Sequence, residues 1–577
     1  METARDPEKK WPAAETSRPG MDDEGVETSP GTLMLSNGLY CSPMIECPPI
    51  RNEADFGVRE AQEDGQRTVA LYPIPSSDPN DPLNWSKLRK GVNFGLGCCF
   101  VFFTFALINV IYIPYVQLVA DLDFTFNTFT TSVALAFTGL ATSSVLFLPL
   151  LHKFGRRWLY LLGSALQLAA AIWLSQMTSK GDLMGAYFFS GMGGGLSETL
   201  LQVTIVDLFF VHQRGTMSGL FLLANTAGSG LGPLAGGYIV TGQGWRWMWR
   251  WCGIFLAVNL LLVVFFFEET KYIPLLNSQP IRDEVQAVPS QQQQECLNRE
   301  EGHQATTAVQ NNNLSRPAID PSVKRKSTRQ RLALFTNTKA PVLQHLYQPF
   351  HVLFTFPAIT YTAVTYGALT TWFTVLVSVV ESSIVYPPYN FSPSGVGLLI
   401  LSVVIGCALG SLLGGPMNDK SAIWISARNG GVYEPEYRLY MALVASVPAI
   451  AGILMTGLGL AHQKPWPLLA VGFGIFGFSW TVIGECALAY VSDCYQDIIG
   501  DALVAVVFVR NALAIAVLFG LSHWLAAVGL QNLIISIAVI ALFFFLLPVP
   551  LLLWGKKARV MTAKKYRDMA SRLPGHR

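Results

Sequence analysis

Residues Gly219 to Gly237 read GLFLLANTAGSGLGPLAGG. Gly219, Gly228, Gly232-Pro233 and Gly236-Gly237 fall in one apolar, helix-length segment, and a helix in water would hardly tolerate so many breakers. Inside a bilayer they are useful. Small residues let a neighbouring backbone approach closely, and that neighbour can repair a proline kink. Glycine richness alone fits any tightly packed membrane helix. The spacing is more specific: a glycine, eight residues, a glycine, three residues, Gly-Pro, two residues, Gly-Gly.

The surrounding chain has the composition such a helix needs. Of its 577 residues 51% are hydrophobic and 14% charged, with a mean hydropathy of +0.38, too apolar for an ordinary water-soluble protein. Apolar runs of about 20 residues, the length that spans a bilayer core, lie near 91–113, 127–151, 158–178, 182–206, 216–240 and 246–267. Six more lie near 351–378, 395–415, 438–461, 466–490, 500–524 and 531–554. The expected fold is an all-α polytopic membrane protein, with twelve transmembrane helices in two pseudo-symmetric six-helix bundles.

The domains expected are a disordered acidic tail at 1–85, one bundle at 86–267, a flexible loop at 268–350, a second bundle at 351–554 and a basic tail at 555–577. The loop contains Gln291 to Gln294, Asn311 to Asn313 and Lys324-Arg325-Lys326, a composition that cannot bury a core. Lys153, Arg156, Arg157, Arg214, Lys420 and Arg428 occupy short loops on one side. Lys556, Lys557, Arg559, Lys564, Lys565 and Arg567 follow the last span. By the positive-inside rule this side and both termini are cytoplasmic. The polar first ninety residues resemble no cleavable signal, so the first span is expected to direct insertion. Asn390-Phe391-Ser392 would face out, but Pro393 follows and glycosylation is not expected.

The net charge of +2 and the scatter of basic residues argue against nucleic acid as a partner. The nine cysteines lack metal-ligand spacing, and no disulfide framework, metal or cofactor is expected. No phosphate loop suggests drive by ATP, and no nucleophile–base set suggests an enzyme.

Ionisable residues inside membrane spans are costly and point to function. Glu198 and Asp207 in span four recur as Glu485 and Asp493 in span ten, and Arg510 lies in span eleven at a depth compatible with a Glu485–Arg510 pair. Glu198, Glu485 and Arg510 are therefore candidates for proton coupling or cation binding, with purely structural pairing as the alternative. Asn109, Tyr112, Asn225, Tyr361, Tyr366, Trp372, Trp480 and Asn511 are polar or aromatic residues on spans expected to line a midplane cavity. Each alone is more often a packing residue.

The spacing of residues 219–237 resembles the fifth-helix antiporter motif of the major facilitator superfamily. Asp78-Pro79-Asn80-Asp81-Pro82-Leu83-Asn84-Trp85-Ser86, Glu268-Glu269-Thr270-Lys271-Tyr272 and the run Asp207 to Gly215 resemble segments of its fungal drug:proton antiporter-like members. That family carries a cytoplasmic latch, Gly-x-x-x-Asp-Arg-x-Gly-Arg-Arg, matched here by Leu148, His152, Lys153, Gly155, Arg156 and Arg157, so the basic end is kept and the glycine and aspartate are not. His152 is a possible pH-sensitive substitute for the aspartate. Gly415-Pro416-Met417-Asn418-Asp419-Lys420 is a partial second copy. The resemblance implies gating roles for Lys153, Arg156, Arg157, Asp207, Asp419, Lys420 and Asp493. Asp207 and Asp493 would pair with Arg156, Arg157 or Lys420. The span-four arginine of proton antiporters is absent; Tyr187 and Ser190 precede Gly191 there.

The function implied is a monomeric efflux pump of the plasma membrane that exports a small organic molecule, a drug or secondary metabolite, against inward proton flow. Uptake of an organic cation or polyamine is a second reading, and a membrane sensor that does not transport is a third.

Overall fold

The chain enters its first long helix through a knot of aspartates. Asp78 accepts from Asn80 N–H at 2.7 Å and Asp81 from Leu83 N–H at 2.9 Å, the local bonding that makes Asx residues turn formers. Ser86 then caps α1 (Lys87–Asn109). The computed structural model describes residues 78–209, 211–272, 326–336, 342–429, 432–495 and 498–570 and four short strands before them. Most of the expected tail and central loop lies outside the described residues.

After α1 come α2 (Tyr115–Leu122), α3 (Phe126–Phe154), α4 (Arg157–Ser175), α5 (Lys180–Leu208), α6 (Val211–Gln243) and α7 (Trp245–Phe266). The later part holds α8 (Thr328–Arg331), α9 (Val342–Thr355), α10 (Pro357–Ser383), α11 (Pro393–Arg428), α12 (Arg438–Ala461), α13 (Trp466–Cys494), α14 (Ile499–Phe545) and α15 (Pro548–Ala570). Among the described residues, nine helical stretches are long and apolar enough to cross a membrane. The runs expected at 182–206 and 216–240 lie in α5 and α6, whose glycines and polar residues keep them outside those nine, and the last two expected runs share Ile499–Met569. Gly529, at φ 75°, breaks α14 into two helices where a side chain would be strained.

Two boundaries differ from the expected ones. The seventh run is expected at 351–378, but the chain breaks at Phe356, before Pro357, because a residue preceding proline is pushed out of the helical region. The helix then continues to Ser383. In the amino-terminal segment expected to lack order, Leu33–Ser36 pairs antiparallel with Leu39–Cys41 and with Val432–Tyr433, and Glu60–Glu63 pairs with Gln66–Val69. Strands of three or four residues are too short to carry a readable period.

Helix packing rests on glycine. With lipid outside as apolar as the side chains, association depends on close van der Waals fit. A Cβ on Gly191 would sit 2.0 Å from the Ala136 carbonyl oxygen, and one on Gly406 would sit 2.0 Å from that of Gly474. These are the α3–α5 and α11–α13 crossings. In α6, Gly228 and Gly232 press on Phe102 and Ala106 of α1, and Gly237 on Pro393 and Ser394 at the start of α11; Gly219 meets nothing.

The buried core is continuous at one end. Val110, Ile111, Tyr112 and Phe129 share it with Leu376, Val379, Ile384 and Leu399, joining the two parts of the chain. At the other end the cores are smaller and largely separate: one around Tyr490 and Tyr495 is built from the later part alone, one around Phe94 and Phe209 from the earlier part alone, and one around Phe100 and Tyr160 takes only Val504 from the later part. The molecule is therefore sealed at one end and parted at the other.

A Gly228→Val substitution would place its Cβ within 2.3 Å of the Phe102 carbonyl oxygen and is expected to cost about 1–3 kcal/mol. Gly219→Ala should cost little. Thermal unfolding of the purified variants tests this, and equal melting temperatures would refute the packing assignment.

Candidate functional site

Between the parted helices lies a cavity of about 670 Å³. Its exposed lining residues Leu220, Leu223 and Leu412 mark a mouth at the parted end, and Tyr112 and Glu381 lie at the sealed end. The face of α10 that lines it runs Tyr366, Thr370, Phe373, Thr374, Val377, Ser378, Glu381, a helical three-and-four spacing. Asn109, Tyr112, Asn225, Tyr366 and Trp480 line it; Tyr361, Trp372 and Asn511 do not. Tyr361 packs by Tyr490 with ring centroids 6.1 Å apart, Trp372 is buried in the joined core, and the Asn511 carboxamide oxygen accepts from Arg510 at 3.2 Å.

The ion pair differs from the expected one. Arg510 donates to Glu198 at 2.5 Å, not to Glu485. Depth along a helix was compatible with either acid; the way α14 meets α5 and α10 decides for Glu198. Both partners are buried, and the pair joins the two parts of the chain. Glu485 accepts instead from Ser411 at 2.7 Å, while its other carboxylate oxygen has no partner. Arg510 also lies 5.8 Å from the Tyr366 ring centroid, and Tyr366 and Trp480 rings are 6.4 Å apart.

At the parted end, Arg156 meets Asp207 at 3.0 Å, and Thr270 donates to the same carboxylate at 3.2 Å. The Glu269 carboxylate takes the backbone N–H groups of Arg156 and Arg157 at 2.9 to 3.1 Å, where a helix start favours negative charge. It fits because Gly155 has φ 100° and no Cβ, which would lie 2.4 Å from that carboxylate. Arg157 donates to the Val264 carbonyl at 2.6 Å and to that of Leu332. Lys271 donates to the carbonyls of Lys153 and Thr336 at 3.1 Å. Burial, reinforced by Arg156 and opposed by Glu269 and Asp207, pushes its ammonium down to about 8. The folded protein thus disfavours that charge, and this group's contribution to stability rises with pH between about 8 and its ordinary value of 10.5.

The later part repeats this arrangement. Arg438, at the start of α12 as Arg156 is at the start of α4, meets Asp493 at 2.5 Å and Asp419 at 2.6 Å. Asp493 was expected to pair with Arg156, Arg157 or Lys420. Its cation is Arg438, and Lys420 is exposed with no ion pair among the described residues. Lys153 lies 5.3 Å from the Phe154 ring centroid. Arg559 of α15, 1% exposed, bridges Glu434 at 2.6 Å and Glu436 at 2.7 Å.

Sequence reasoning missed Glu381, Arg438 and the Arg559 cluster. Glu381 lies three residues beyond 378, the expected end of span seven, and so outside the apolar runs searched for buried acids. Arg438 was visible through internal repetition, since the span-nine start corresponds to the span-three start.

A multi-pass helical membrane protein with a cavity reached from one end defines a membrane transporter. Residues 94–517 match the Major Facilitator Superfamily, and the chain belongs to that family. It is 28% identical over 575 residues to an MFS-type transporter of Schizosaccharomyces pombe, covering 95% of each chain. It is 28% identical over 536 residues to Protein HOL1 of Saccharomyces cerevisiae, covering 86% of this chain and 91% of the relative. MFS-type transporter penM of Penicillium rubens is 27% identical over 554 residues, with 94% and 99% covered. Among solved structures, a D-xylose-proton symporter shares the fold with a TM-score of 0.51 at 16% identity, over 79% of this chain and 96% of that one.

Arg510→Leu leaves Glu198 buried without a counter-charge and is expected to cost about 3–5 kcal/mol. The double variant Glu198→Leu, Arg510→Leu should recover most of that loss. Thermal unfolding decides; a single variant as stable as wild type would show that the pair contributes nothing.

Proposed function

We propose that this chain is a secondary transporter of twelve spans, built as two six-helix bundles at 86–267 and 351–554, which exports a small organic molecule across the plasma membrane in exchange for protons. The observation that carries this reading is the cavity itself. It lies between the two parts of the chain, is closed at one end and open at the other, and has Glu198, Glu381 and Glu485 in its lining. Both termini are cytoplasmic in this reading, so the mouth faces the cytoplasm and the protein stands ready to load a substrate from inside.

Alternating access follows from two bodies that rock about a midplane site. A proton on Glu198 ends its ion pair with Arg510 and loosens a polar tie between the bodies. Glu485, held by Ser411 alone, is a second site for a proton. The Arg156–Asp207 and Arg438–Asp493 pairs, with Asp419, brace the cytoplasmic helix ends and must rearrange when that side closes. Asn109, Tyr112, Asn225, Tyr366 and Trp480 contact the substrate, and the antiporter glycines from Gly219 to Gly237 hold α6 close to α1 and let it approach α11 of the other body. Uptake of an organic cation by the same cavity is the second reading, favoured by the excess of acids in its lining.

Substrate accumulation in cells lacking and expressing the protein tests direction and coupling, across a panel of toxins and cations, with Glu198→Gln and Glu485→Gln beside wild type. Export predicts lower accumulation that a protonophore abolishes and that either variant weakens. Raised accumulation of a cation would replace export with uptake, and no change for any compound would sink both.

A further inference from the structure

The cavity lining holds three carboxylates and one guanidinium, and that guanidinium is taken by Glu198. Glu381 is different in kind from the other two. It is 1% exposed, and neither carboxylate oxygen has a hydrogen-bond partner among the described residues. It cannot share Arg510. Tyr366, which packs by Arg510, lies fifteen residues earlier on α10, about 22 Å of helix at 1.5 Å per residue.

The surroundings of Glu381 explain what is missing there. Tyr112 lines the same cavity close to Glu381, and its buried hydroxyl has the Ser378 side chain beside it. Two oxygen atoms at the sealed end, both of Glu381, thus lack hydrogen-bond partners among the described residues, and the Tyr112 oxygen stands beside them. Each is able to accept a hydrogen bond. A buried polar group without a partner is costly, and an unpaired buried carboxylate more so. An ammonium group supplies one positive charge and three donors, which answers both deficits at once. Toward the mouth the lining turns apolar and aromatic, with Phe137, Phe373 and Trp480, suited to an organic body attached to that amine.

We propose that Glu381 and Tyr112 form the ammonium-binding subsite of the cavity, which takes the primary or secondary amine of an organic substrate at the sealed end, while Glu198 and Glu485 handle protons nearer the mouth. This deepens the transport reading above and rests on it for the word substrate, but binding itself can be measured without transport. A quaternary ammonium, which carries charge but no N–H donors, should be a poor ligand.

The test is binding to the purified full-length protein in nanodiscs, by calorimetry, of phenethylamine, its N,N,N-trimethyl derivative and 2-phenylethanol. Phenethylamine is expected to bind wild type at least about tenfold more tightly than either analogue, and Glu381→Gln should remove that preference. Glu381→Asp, which keeps the charge, should retain part of it, and Glu485→Gln should keep it whole. Glutamine keeps the size and polarity of the Glu381 side chain and brings no charge into the core, so Glu381→Gln should melt no lower than wild type and lost binding cannot be ascribed to misfolding. Equal binding of all three probes, no binding of the amine to wild type, or an undiminished amine preference in Glu381→Gln would overturn the subsite. Glu381-dependent amine binding without any flux in cells would overturn the transport reading and leave the subsite standing. Flux unaffected by Glu381→Gln would do the reverse.

Discussion

The Arg510–Glu198 pair is the constraint on which the centre of this molecule depends. Two charges are held out of water at 2.5 Å, one from each part of the chain. Removing either partner would leave the other as an uncompensated buried group, which is strongly destabilising. Asn511 holds the guanidinium from below through two 3.2 Å bonds, and the Tyr366 ring faces it. The pair thereby ties α14 to α5 across the cavity that both residues line. Its strength is conditional on charge, which makes the same contact a structural brace and a place where a proton would have a mechanical effect.

Around that contact, the helices meet by backbone rather than by side chain. At the α3–α5 and α11–α13 crossings a single added carbon would collide with a carbonyl, so these crossings are rigid and equivalent in the two parts. The joined core at the sealed end is filled by Val, Ile, Leu and aromatic side chains from both. The parted end has no shared core of that extent.

The charged groups at the parted end show the same duplication. Arg156 with Asp207 and Arg438 with Asp493 each tie a helix start to the end of the next helix. Their surroundings differ. Glu269 caps α4 in the first, whereas Asp419 adds a second acid to Arg438 and Arg559 binds Glu434 and Glu436 nearby. In sequence, Asp419 stands at the latch position that His152 occupies in the first copy.

Apolar run lengths and the spacing of Gly219 to Gly237 determined, without coordinates, that this chain is a helical membrane protein of the facilitator family, because bilayer thickness and close helix approach impose those patterns on any sequence that meets them. They also located the acids worth attention, since an ionisable residue in an apolar run stands out. Only the tertiary structure decided which acid meets Arg510, that Asp493 belongs to Arg438, and that Trp372 and Asn511 turn away from the cavity. Rise per residue gives depth along a helix but says nothing of its rotation or its neighbours. Glu381 stayed hidden for a related reason: hydropathy cannot place the end of a span to within a turn, and one turn is the difference between a loop residue and a carboxylate buried at the end of the cavity.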